Sequence, residues 1–140
     1  MFTTGSNFGM LEVICQLPSE ANVGFSIGLT DSANNAILFN FDTSSDTTVH
    51  VACIEGGVTT DTDTATAPGT GVRVYKMVQS AAGTIDFYID DSLETSISTN
   101  VPDAEVMNLT IQLFTRTNAA KSMDVDYVYY ESLDLGARTT

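Results

Sequence analysis

Carboxylates and a single histidine are the side chains of this sequence that could most readily do chemistry. Aspartates stand one residue apart at positions 61 and 63 and again at 124 and 126, and an adjacent pair occupies positions 90 and 91. Such pairs can act as acid and nucleophile in a glycosidase, ligate Ca²⁺ through their oxygens, or close a tight turn. His50 is the only histidine, and so the only candidate general base for a Ser-His-Asp hydrolase.

The adjacent pair Asp90-Asp91 is predicted to be the tip of a hairpin. It stands in "GTIDFYIDDSLETSI" (83–97), where alternating apolar residues run to Ile89 and resume at Leu93. Asp favours tight turns because its carboxylate accepts a nearby backbone N–H and because it tolerates left-handed conformations. A turn accounts for the pair without a catalytic or metal-binding role.

The other acidic positions and His50 are also assigned structural roles. The stretch "DTDT" (61–64) lies on a predicted strand whose alternation places Asp61 and Asp63 on one face, with nothing to wrap a calcium ion. His50 lies in a Thr-rich strand, and the sequence has no G-x-S-x-G elbow. We therefore predict no catalytic residues, no metal site and no cofactor.

The elements that position these residues are predicted to be strands throughout. Period-two alternation recurs between turn signals 8 to 14 residues apart, which is typical of a sandwich or barrel. The predicted strands are 10–17, 22–30, 36–42, 47–55, 57–64, 71–79, 84–90, 93–98, 107–116 and 121–132. The predicted inner faces comprise Phe25, Ile27, Leu29, Ile37, Phe39, Phe41, Val49, Val51, Cys53, Val72, Val74, Val78, Ile85, Phe87, Ile89, Leu109, Ile111, Leu113, Met123, Val125, Tyr127 and Tyr129.

Composition argues against two classes of partner, nucleic acids and membranes, and indicates the state of the two cysteines. The net charge of −13, from 18 acidic and 5 basic residues, would be repelled by a phosphate backbone, so we predict no nucleic-acid partner. Apolar residues occur in short runs, so we predict no membrane partner. Cys15 and Cys53 both fall on predicted inward faces, where we expect buried free thiols, although a single bridge between them stays open.

Three segments resemble a known fold family. They are "VGFSIGLTDSANNAILFNFD" (23–42), "GTIDFYIDDSLETSISTNVP" (83–102) and "KSMDVDYVYYES" (121–132). Together they resemble the concanavalin A-like lectin/glucanase (laminin-G-like) jelly-roll domains found in tailed-phage virion proteins. The resemblance implies an all-β, two-sheet antiparallel sandwich, with Asp91 standing where the family usually has Gly. It leaves open whether a first strand is supplied by a neighbouring chain.

The resemblance raises two carbohydrate-related functions. Glucanases of this family have an E-x-D-x-x-E strand, which this sequence lacks, so we predict that the chain is not an enzyme. Glycan binding needs an exposed aromatic platform, and the sequence has no Trp. The predicted outward aromatics are Tyr75, Tyr88 and Tyr130, and a possible glycan platform is placed at Tyr88 and Tyr130.

The function predicted from the sequence is a non-enzymatic capsid decoration protein on the outer surface of a phage head. The alternative is a carbohydrate-binding adhesin domain of a phage tail fibre or surface protein. The predicted organisation is an arm (1–8), a sandwich (9–132) and a tail (133–140), with Phe2, Phe8 and Arg138 as capsid contacts. The expected partners are the major capsid protein or other virion proteins, further copies of the chain and, in the alternative function, a glycan. Assembly into the virion is expected in the host cytoplasm.

Overall fold

Every regular element in the described part of the chain is a β-strand, as the alternation predicts. The computed structural model describes residues 2–3, 9–31, 34–103 and 106–131. The strands are β1 (Phe2–Thr3), β2 (Met10–Gln16), β3 (Val23–Thr30), β4 (Ala36–Asp42), β5 (His50–Glu55), β6 (Val58–Asp63), β7 (Val72–Ala81), β8 (Thr84–Ile89), β9 (Ser92–Ile97), β10 (Val106–Thr115) and β11 (Asp124–Glu131). No helix of the described residues is long and apolar enough to cross a membrane.

The strands form two antiparallel sheets. One has six strands in the order β1-β10-β3-β4-β5-β6, and the other has five in the order β11-β2-β7-β8-β9. The alternating side chains of both sheets meet in one hydrophobic core between them. The prediction of a two-sheet antiparallel β-sandwich is therefore confirmed.

The core is centred on a chain of aromatic rings that joins the two sheets. Tyr75 of β7 lies 5.5 Å from Phe25 of β3 and 5.2 Å from Phe39 of β4, between ring centroids. Phe39 also meets Phe87 of β8 edge to face at 5.3 Å. Tilted and edge-to-face pairs at these distances are favourable because each positive ring edge faces a negative ring face. The predicted inward positions of β3, β4 and β8 are all buried.

In strand β7 the side chains that face the core are those predicted to face outward, and the reverse. Tyr75 and Met77 are buried, while Val72 is exposed and Val74 is only partly buried. Apolar residues occupy both parities of this strand, so alternation alone does not distinguish its faces. Burial of Tyr75 removes more apolar surface than burial of a valine, which favours the observed phase. Tyr75 is therefore a core residue, and its predicted outward position is wrong.

In strand β11 the alternation between inward and outward side chains shifts by one residue in the middle of the strand. Its pairing with β2 is irregular between Val125 and Tyr127, where the extra residue Asp126 forms a bulge. Beyond the bulge Tyr127 and Tyr129 lie on the outer face, opposite outward residues of β2, whereas Tyr130 packs against the core. The predicted inward positions of Tyr127 and Tyr129 and the predicted outward position of Tyr130 are therefore wrong.

The Asp90-Asp91 pair forms the tip of the β8–β9 hairpin, as predicted. Both residues have positive φ angles, 51° and 64°, as the mirror-image turns of tight hairpins require. The Asp90 carboxylate accepts a hydrogen bond from the Val74 backbone N–H at 2.9 Å and pairs with the Arg73 guanidinium. The Asp91 carboxylate lies 2.6 Å from the Lys76 ammonium. Both carboxylates therefore fasten the turn to β7.

The two cysteines are free and buried, so the predicted thiols are confirmed and the alternative of a bridge is not observed. Burial in apolar surroundings disfavours the thiolate and raises the pKa of Cys15 to about 11 and that of Cys53 to about 12. Thiols protonated to this degree are poor nucleophiles at neutral pH. Both cysteines act as small core residues.

Candidate functional site

Polar side chains collect on the outer face of the six-stranded sheet, across β3, β4, β5 and β6. One row of paired residues crosses this face: Gln112, Ser26, Asn40, His50 and Asp63. Two adjoining pockets of about 340 and 370 Å³ lie on the same face, and Ile54 and Thr59 line both of them. We refer to these two pockets together as the groove.

His50 is the centre of one end of the groove. Its Nδ1 atom lies 3.2 Å from an oxygen of Asp61 and 3.0 Å from an oxygen of Asp63, and its Nε2 atom lies 3.3 Å from an oxygen of Asp46. Partial burial opposes protonation, but the hydrogen bond to Asp61 and the charges of the three aspartates outweigh it and raise the pKa of His50. The groove therefore contains an imidazole that carboxylates bias toward its charged form.

The turn between β4 and β5 holds Asp46 in place. One Asp46 carboxylate oxygen accepts a hydrogen bond from the Asp42 backbone N–H at 2.8 Å, and the Asp46 N–H donates to the Asp42 carbonyl at 2.8 Å. The other Asp46 oxygen is the one that faces His50. Asp61 and Asp63 reach the same ring because they alternate onto one face of β6, as the sequence predicts.

The opposite end of the groove is formed by the β3–β4 loop and the β5–β6 hairpin. The Asn35 backbone N–H and side-chain amide donate to Asp31 at 2.9 and 2.6 Å, and the Asn35 amide oxygen accepts from the Gly56 N–H at 2.9 Å. The Gly57 N–H donates to the Asn34 carbonyl at 2.9 Å. Because these bonds join a loop to a neighbouring hairpin, they fix the shape of this end.

Small side chains line the middle of this face, so the surface there is recessed. Ala36 and Ala52 line the groove beside Ile54, and Gly28 lies on the same face next to Leu38. A Cβ atom at Gly28, whose φ is +153°, would lie 2.1 Å from the Ile37 carbonyl oxygen, so no larger residue fits without a shift of the backbone. Above this apolar floor, Asn40 is oriented by the Ser26 hydroxyl, which donates to its amide oxygen at 2.7 Å.

The residues of the predicted partner sites lie away from the groove where the structure describes them. Tyr88 is on the outer face of the five-stranded sheet, with the Lys76 ammonium 5.1 Å from its ring centroid. Tyr130 is half-buried against the core. Phe2 belongs to β1, but its side chain, like all of Phe8 and Arg138, is outside the described residues. The capsid contacts therefore stay predictions.

Sequence reasoning considered the groove residues separately and did not join them. The sequence indicates His50 as a candidate hydrolase base and the acidic stretch at 61–64 as a candidate calcium ligand, but only the pairing of β4, β5 and β6 brings them together with Asp46. Among the described residues, no group of three or more His, Cys, Asp and Glu is arranged to hold a metal ion. The groove is thus a polar, hydrogen-bonding site with an apolar floor.

The chain is similar in fold to several solved structures. The chain is similar to Bacillus licheniformis β-glucanase (TM-score 0.69, 18% identity), covering 92% of this chain and 67% of the glucanase. It is similar to carbohydrate-binding module CBM66 from Bacillus subtilis (0.62, 15%), covering 91% and 76% of the two chains. It is also similar to CG-16, a homodimeric agglutinin from chicken liver (0.58, 14%), covering 93% and 98%. No family model and no curated protein matches the sequence.

The prediction that the chain is not an enzyme is contradicted by this comparison, since one of these similar structures is a glucanase. The prediction depended on one missing linear motif, the E-x-D-x-x-E strand. Carboxylates can also converge from different elements, as Asp46, Asp61 and Asp63 do around His50. The absence of a single-strand motif therefore does not exclude an acidic site.

The phage context of the sequence resemblance has no counterpart among these structures, and the likeness at this level of identity concerns the fold. The two-sheet topology, the confirmed hairpin at Asp90-Asp91 and the similar structures all agree on that fold. The chain has the concanavalin A-like jelly-roll fold.

Proposed function

We propose that this protein binds carbohydrate in the groove on the outer face of the six-stranded sheet. The observation that supports this most is the mixture of groups there: imidazole, amide, hydroxyl and carboxylate side chains stand around a low apolar floor. A sugar ring presents hydroxyl groups at its edge and C–H groups on its faces, so it needs both kinds of contact. Sites of this type commonly combine apolar walls with a few placed polar groups.

Each part of the groove has a role in this proposal. Asn40 donates hydrogen bonds to sugar oxygens and Asp61 accepts from sugar hydroxyls, while His50, whose two ring nitrogens face the three aspartates, holds those carboxylates in position. Ile54 and Ala52 contact the C–H face of the ring. Because Asp46 and the β3–β4 loop are held by backbone hydrogen bonds, little ordering is needed on binding.

The test is a glycan array followed by calorimetric titration of each glycan that binds. Asn40→Ala should weaken binding about tenfold or more, because it removes a directional contact of roughly 1.5 kcal/mol. His50→Ala should weaken binding by a similar factor, because Asp46, Asp61 and Asp63 lose the ring that positions them. Ser96→Ala is the matched control, since Ser96 is exposed on the other sheet. If no glycan binds, or if all three variants bind like the wild type, the proposal is refuted. Measuring reducing ends released from the bound glycan shows whether it is also cleaved.

The location on a phage head is a separate proposal. It is supported by the resemblance of segments 23–42, 83–102 and 121–132 to virion domains and by the net charge of −13, which suits a surface facing away from packaged DNA. A copy number per virion that matches the capsid lattice would support the decoration role. A few copies at the tail would favour the adhesin alternative. Deleting residues 1–8 should abolish capsid binding and leave the sandwich folded.

A further inference from the structure

Two stacked tyrosines form an exposed platform on the sheet opposite the groove. The rings of Tyr127 and Tyr129 are 6.4 Å apart between centroids and only 11° from parallel. The residues are 46% and 37% exposed, although both are large aromatics in a regular strand. The bulge at Asp126 places them on the outer face of β11, the edge strand of the five-stranded sheet.

The surroundings of this platform are partly apolar and mainly acidic. Ile14 and Glu12 of β2 stand opposite Tyr127 and Tyr129, and the Tyr129 hydroxyl donates to a Glu131 carboxylate oxygen at 3.3 Å. Lys76 follows Glu12 on the next strand, and its ammonium already lies 2.6 Å from an Asp91 oxygen. The platform thus has hydrogen-bond acceptors at its rim and a nearby cation that is already paired.

We propose that the Tyr127–Tyr129 platform is a second carbohydrate-binding site, which takes a neutral oligosaccharide stacked on the two rings. The exposed, near-parallel rings offer aromatic surface to the C–H groups of a sugar, while Glu131 and Glu12 accept hydrogen bonds from its hydroxyls. The site is on a different sheet from the groove and does not depend on the proposed function.

The charges around the platform decide against other occupants. An apolar protein surface would remove the carboxylates of Glu12 and Glu131 from water and leave their remaining acceptor positions unfilled, which is costly, whereas sugar hydroxyls can donate to them. An anionic polysaccharide or a nucleic acid would be repelled, because Asp124, Asp126 and Glu131 stand along the same strand. A neutral glycan is the ligand class that meets both conditions.

The protein contains its own reporter for this site. It has no Trp and five Tyr, and three of those tyrosines are in β11, so the platform and its neighbour contribute to its tyrosine emission. The experiment measures quenching of this emission by acrylamide while laminarihexaose or cellohexaose, two neutral glucose oligomers, is titrated. Hexagalacturonate, an anionic oligomer of equal length, is the charge control.

We expect a neutral hexamer to shield the emission of the wild type, and to bind the Tyr127→Phe/Tyr129→Phe variant, which keeps both rings, with wild-type affinity. Its affinity, measured by calorimetry, should fall about tenfold in Tyr127→Ala/Tyr129→Ala, because two ring contacts are lost. Leu93→Ala should bind like the wild type, since Leu93 is 53% exposed on the far edge of the same face. Hexagalacturonate should bind more weakly than either neutral hexamer.

Three results would overturn the inference: no shielding by either neutral hexamer, unchanged affinity in the double alanine variant, or equal binding of hexagalacturonate. The groove variant His50→Ala, measured in parallel, separates the two proposals. Binding lost in His50→Ala but kept in Tyr127→Ala/Tyr129→Ala supports the groove and refutes the platform. The reverse pattern supports the platform and refutes the groove.

Discussion

Replacing Phe39 with Ala is expected to remove a large part of the stability of this domain. Phe39 is 0% exposed, and its ring contacts those of Tyr75 and Phe87 at 5.2 and 5.3 Å. Truncation of a buried Phe to Ala costs about 3–5 kcal/mol, and each aromatic pair adds about 0.5–1.5 kcal/mol beyond the buried area. Measured truncation costs already include such ring contacts, and the loss of two pairs places Phe39→Ala in the upper part of that range, at about 4–5 kcal/mol, out of a total of roughly 5–15 kcal/mol.

Urea denaturation followed by far-ultraviolet circular dichroism measures this cost. Phe39→Leu keeps most of the volume and should cost less than about 1.5 kcal/mol, while the exposed Leu93→Ala should stay within about 0.5 kcal/mol of the wild type. The melting temperature of Phe39→Ala should fall by roughly 10–20 °C. A loss below about 2 kcal/mol with an unchanged denaturant slope would show that the aromatic chain does not hold the two sheets together.

Three further predictions concern the groove and the hairpin turn. The pKa of His50 is raised in the folded state, so its stabilising contribution is complete below its ordinary pKa of about 6.5 and is lost as pH rises through the folded pKa. The difference in stability between the wild type and His50→Gln, measured by urea titration at several pH values, should therefore shrink with rising pH. A difference that grows with pH would contradict the contacts between His50 and the aspartates. Asp91→Gly should be neutral or slightly stabilising in thermal melts, because Asp91 has a φ of 64°, which Gly adopts without strain, and because the Asp91 carboxylate of the ion pair with Lys76 is largely exposed. A loss above about 1 kcal/mol would show that the ion pair stabilises the turn more than the strain at Asp91 costs. Gly28→Ala should lower the melting temperature and weaken glycan binding together, because its Cβ would meet the Ile37 carbonyl oxygen at 2.1 Å and displace β3 from β4; an unchanged melting temperature would refute the close approach.

The sequence predicts correctly which side chains of a strand face the core where apolar residues stand at every second position and polar residues stand between them. In β8, Ile85, Phe87 and Ile89 alternate with polar or amphipathic residues, and all three are buried. In β7, valines at one parity compete with Tyr75 and Met77 at the other. The choice then depends on which set fills the space against the opposite sheet, which local alternation cannot show.

The candidate sites depend on long-range geometry in the same way. The groove exists because β4, β5 and β6 pair in one register, which aligns Asn40 with His50 and His50 with Asp63. A shift of one residue in β5 would turn His50 into the core and Val51 toward solvent, so burial of Val51 fixes the position of His50. The tyrosine platform similarly requires a bulge that no residue of "DVDYVYYE" specifies by itself, since it is the irregular pairing at Asp126 that sets Val125 and Val128 opposite the buried Cys15 and Val13 of β2 and leaves Tyr127 and Tyr129 on the outer face. Burial of apolar side chains thus determines which residues of each strand face the core. The remaining residues face outward, and these are the polar and aromatic groups that a ligand can reach.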